Sequence, residues 1–66
     1  MVDLEFFKER LNKWGDSPSI THLNNKWINA KKYIIKESST IEERFELDKL
    51  IEDSYSIALN KILDKK

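Results

Sequence analysis

Cysteine is absent, glycine and proline occur once each, and charged residues interrupt every apolar run in the 66-residue chain. Without cysteine there are no disulfides, and the usual structural zinc sites lose their thiolates. A single glycine cannot furnish a loop that cradles nucleotide phosphates. Spanning a bilayer takes roughly 20 apolar residues, and no run approaches that length. An excess of one charge sign is also missing: 12 Lys and Arg stand against 12 Asp and Glu, for a formal net charge of zero. A general nucleic-acid coat protein would be basic, because its affinity comes from phosphate contacts. Strand signals are lacking too, since no β-branched run alternates with period two.

What is present is a helical pattern. Hydrophobic residues make up 39% and aromatics 11%, enough for a core rather than a disordered chain. At this size folding buries only about 60% of the surface that the unfolded chain exposes. The stability margin is thin, and without disulfides it must come from helix packing, self-association, or both. The N-terminus "MVDLEFF" is acidic where a signal peptide would be basic, so a cytoplasmic protein is expected, with no membrane partner.

The helix boundaries follow from punctuation. Gly15 is a natural stop for a first helix, because glycine takes the left-handed conformation at no steric cost. Ser17 followed by Pro18 reads as a hydroxyl cap and then a proline at the first helical position. In "KESSTIEER", Ser39 with Glu42 or Thr40 with Glu43 fits a capping box. The spacing predicts helices over about 3–14, 18–37 and 40–64, with short connections. The expected fold is all-α within one domain, a small three-helix bundle or a helical hairpin plus a helix.

Leu4, Phe7, Leu11 and Trp14 form the stripe of the first helix. Ile20, Leu23, Trp27, Ala30 and Ile34 form that of the second, with Ile28 and Ile35 as a shoulder. The third helix carries apolar residues over a much wider arc, from Leu47 through Ile62, with Phe45 and Leu63 widening it further. A surface helix needs a stripe little wider than about 100°. The third helix therefore packs against both others or against a second copy of itself, and a homodimer is expected.

No catalytic, cofactor-binding or metal-ligating constellation emerges. The single histidine, His22, has Pro18, Ser19, Asn25 and Lys26 one turn away; none is a metal-ligating partner. No nucleophile elbow surrounds any serine. No enzyme and no cofactor are expected.

Interaction surfaces carry the functional reading. Val2, Phe6 and Tyr33 lie off the apolar stripes, and aromatics off a core stripe are typical of protein interfaces. Glu42, Glu46 and Asp53 share an arc of the third helix suited to steering a basic partner. Residues 17–38 hold four lysines against one glutamate. Their outer face, with Asn25, Lys26, Asn29, Lys32 and Lys36, has chemistry that could also enter a DNA groove. The expected function is a small non-catalytic regulatory or adaptor protein acting on a protein partner of unknown identity, for instance a phage or mobile-element inhibitor of a host protein. The alternatives are a DNA-binding regulator using that Lys/Asn face and an assembly or scaffold protein.

Overall fold

The structure, a computed structural model, describes residues 2–64. It contains three helices, α1 (Leu4–Asn12), α2 (Ile20–Glu37) and α3 (Ile41–Asp64), with a short 3-10 turn at Trp14–Asp16 between the first two. The expectation of an all-α three-helix arrangement is met, and no strand occurs among the described residues. α2 runs antiparallel to α3, as the pairs Asn24–Tyr55 and Trp27–Glu52 require. The molecule is a rod of 40 × 17 × 16 Å.

α3 is the spine. It packs against α2, α1 and the 3-10 turn, which accounts for its broad apolar arc. Its Leu47, Ile51, Ala58 and Ile62 meet Phe7, Leu11 and Trp14 from one side and Leu23 and Ile34 from the other in a single buried cluster. Leu23 and Ile51 are wholly inaccessible. Leu4, placed on the stripe of the first helix by its spacing, is 46% exposed instead.

Each helix begins with a side-chain cap. Asp3 Oδ1 accepts from the Phe6 N–H at 3.2 Å. Ser19 Oγ accepts from the His22 N–H at 3.3 Å. Thr40 Oγ1 accepts from the Glu43 N–H at 3.0 Å, while Glu43 Oε1 reaches back to the Ser39 N–H at 3.1 Å. Of the two boxes considered, Thr40 with Glu43 is the one that forms.

Two boundary readings are corrected. The second helix starts at Ile20, capped by Ser19, and not at Pro18 capped by Ser17. Ser17 instead closes the 3-10 turn, its N–H donating to the Trp14 carbonyl at 3.1 Å. Pro18 then holds it extended, because a residue before proline is driven out of the α region. The first helix ends at Asn12 rather than 14, and Gly15 does not take a left-handed conformation. The chain tightens through Asp16 N–H to Lys13 O at 3.1 Å, which turns Trp14 into the core. Gly15 is buried beside the Lys61 side chain: a Cβ there would lie 2.7 Å from Lys61 Cδ, so that exposed side chain would have to shift.

Candidate interaction surface

A polar and aromatic ladder joins α2 to α3. The Tyr55 hydroxyl donates to Asn24 Oδ1 at 2.6 Å, and Trp27 Nε1 donates to Glu52 Oε1 at 3.3 Å. Lys31 Nζ pairs with Glu52 Oε1 at 2.7 Å and with Asp48 Oδ1. It also stands 5.1 Å from the Trp27 ring centroid, and that ring is tilted against Tyr55 at 6.0 Å. Burial by itself lowers the pKa of Lys31; the hydrogen bonds and charges of Asp48 and Glu52 outweigh it and hold the ammonium above its ordinary value of 10.5. The ladder therefore fixes the register of the two helices and consumes one of the four lysine charges of α2.

Just outside this ladder lies a row of exposed apolar side chains. On α2, Ile28 and Ile35 stand one turn beyond Asn24 and Lys31. On α3, Ile41 and Phe45 stand two turns before Asp48 and Glu52; Leu63, eight residues past Tyr55, lies beyond the level at which α2 starts. The four seam residues are exposed, Ile41 and Phe45 by 72% and 71%. None of these four lines a groove against α1, and helical spacing sets them on the other side of the ladder. Among the described residues eight large hydrophobics are exposed; the other four, Leu4, Phe6, Ile57 and Leu63, lie elsewhere. In general, a contiguous apolar patch is what an interaction site exposes, whereas scattered single residues need no explanation.

The residues singled out by sequence are distributed differently. Val2 and Tyr33 are half-buried and pack against the core; the Tyr33 ring lies 5.8 Å from Phe7. Phe6 is exposed, with the Arg10 guanidinium 5.8 Å above its ring. Trp14 is in the core, and Trp27 belongs to the ladder. Glu42, Glu46 and Asp53 are exposed on α3, and Asn25, Lys26, Asn29, Lys32 and Lys36 are exposed on α2. His22 is exposed, its Nδ1 3.0 Å from the Ser19 hydroxyl. Sequence reasoning bypassed Ile28, Ile35 and Phe45 as partner-binding residues, although the shoulder on α2 and the wide apolar arc on α3 were their signals.

Two open grooves flank the seam between α1 and its neighbours. One, of about 420 Å³, has Val2, Leu4, Leu47 and Leu50 as floor, with Lys8, Lys49, Glu43, Glu46 and Asp53 around it. The other, of about 370 Å³, sets Arg10, Lys13 and Lys26 around Phe7, Trp14 and Tyr33. Among the described residues no group of three or more His, Cys, Asp or Glu could hold a metal ion. No described helix is long and apolar enough to cross a membrane. No family model, curated protein or solved structure matches this chain.

Proposed function

We propose that this chain works by protein–protein contact, as a small regulatory or adaptor protein with no reaction of its own, through the outer side of the α2–α3 seam. One observation carries the reading: four of the eight exposed large apolar side chains, Ile28, Ile35, Ile41 and Phe45, gather along that side. Water-exposed isoleucine and phenylalanine side chains gain about 25 cal/mol per Å² on being covered. The seam's principal polar groups already have partners within the chain, so covering them strands few donors or acceptors. The test is a photo-activatable side chain placed at Phe45 or at Ile35, with His22 and Asp16 as control positions. Protein adducts at the first two and none at the controls are expected. Equal yields at all four would overturn the reading.

A second reading is favoured by the cationic groove. Arg10 and Lys13 of the first helical segment join Lys26 around it, supplying an arginine beside the Lys/Asn face of α2. That chemistry suits contact with a nucleic-acid backbone. Fluorescence anisotropy with a mixed-sequence duplex tests it. Binding should weaken steeply with salt and be abolished by combined alanine substitution of Lys26, Lys32 and Lys36.

A further inference from the structure

Building on the docking reading above, we infer that the occupant of the α2–α3 outer face is a second copy of this chain, related by a two-fold axis parallel to the helices. The evidence is the charge on the two rims of the face. Helical spacing sets Lys32 and Lys36 beyond the apolar row on α2, and Glu42, Glu46 and Asp53 beyond it on α3, where Glu46 and Asp53 also flank the groove against α1; all five are exposed. Lys49 is the one cation on that acidic rim.

This left–right split discriminates between the two ways of placing a copy face to face. An axis perpendicular to the helices stacks α2 on α2, setting lysine against lysine and carboxylate against carboxylate. An axis parallel to the helices lays the α2 of one copy over the α3 of the other, so each basic rim meets an acidic one. The vertical register also agrees. The Asn24–Tyr55, Trp27–Glu52 and Lys31–Asp48 pairs, continued toward the end of α2, put Lys36 level with Glu43 and Arg44. That height lies between Glu42 and Glu46. In the parallel-axis arrangement the second copy's Lys36 reaches those two carboxylates, and its Ile35 lies over Ile41 and Phe45.

Size and net charge are compatible. A rod face 40 Å long and 17 Å wide is of the order of the roughly 800 Å² per partner that a standard interface buries. A formal net charge of zero leaves no overall repulsion between copies. The contact is isologous, so it closes at two copies rather than growing into a filament.

Sedimentation equilibrium over a concentration series tests the inference, with circular dichroism on every variant to confirm that these exposed substitutions leave the fold intact. The wild-type chain should reach a dimer ceiling and dissociate more readily as salt rises. Phe45→Glu should weaken dimerisation by at least about 30-fold, the loss of a central anchor. Lys32→Glu with Lys36→Glu makes one variant, and Glu42→Lys with Glu46→Lys makes another. Each should fail to pair with itself, yet the two mixed should form a one-to-one heterodimer. A chain monomeric at millimolar concentration overturns the inference, as does a dimer that tightens with salt or ignores Phe45→Glu. Failure here is distinguishable from failure of the docking reading: a monomer whose Phe45 still cross-links to other proteins rejects only the second copy, whereas a monomer without such cross-links rejects both.

Discussion

Lys31 holds Asp48, Glu52 and the face of Trp27 at once, so its charge belongs to the fold rather than to a surface patch. Its raised pKa sets the sign of a pH effect. An ammonium more basic in the folded than in the unfolded chain contributes stability that is fully present below 10.5 and is lost as pH rises through the folded value. Melting curves of wild type and Lys31→Met should therefore differ by a constant amount across neutral pH and converge in the alkaline range above 10.5. The constant difference is expected to be no more than about 1 kcal/mol, because the Asp48 and Glu52 side chains are 41% and 50% exposed and water screens the pair. Nothing in the sequence separates Lys31 from Lys32. They are neighbours in one basic run, and only the way α2 packs on α3 makes one a half-buried tie and leaves the other exposed.

At the scale of an element, the start of α2 shows how a local signal can be ambiguous by a single turn. "SPS" offers two hydroxyls, and proline is compatible with a helix that starts on it as well as with one that starts after it. The 3-10 turn decides, since closing it on Trp14 commits the Ser17 backbone to an extended conformation. The two serines then have opposite expected effects in urea denaturation. Ser19→Ala removes the cap on His22 and should cost about 1 kcal/mol. Ser17→Ala should cost nothing or stabilise slightly, because the buried Ser17 hydroxyl has no hydrogen-bond partner among the described residues. At the start of α3 the sequence offered two boxes, and the one that forms uses only neighbouring groups: Thr40 Oγ1 accepts from the Glu43 N–H and Glu43 Oε1 from the Ser39 N–H.

Across the whole molecule, stability rests on one thin core. Proteins retain only about 0.05–0.15 kcal/mol of net stability per residue, which for a chain of 66 residues is comparable to the cost of one core cavity. Ile51 is wholly buried at the centre of α3, and Ile51→Ala should cost about 2–5 kcal/mol. Circular dichroism should show a broad melt and a sizeable unfolded population at room temperature. Ile57→Ala, six residues further along the same helix but 60% exposed, should change stability by no more than about 0.5 kcal/mol. The comparison separates the residues that hold the rod together from those available for contact.

The sequence by itself determined the all-α class, the three helices to within a turn and most of the core, because periodicity, caps and breakers are local properties of the chain. It also held the chemistry of both rims, the lysines of α2 and the carboxylates of α3. Only the tertiary structure decided which off-stripe residues stay exposed. Val2 and Tyr33 are drawn onto the core margin by α3 and Phe7, while Ile28, Ile35 and Phe45 are left outside the ladder. A helical wheel ranks residues around one axis. Which sector is covered depends on where the neighbouring axes lie, and that is set by packing between residues far apart in sequence.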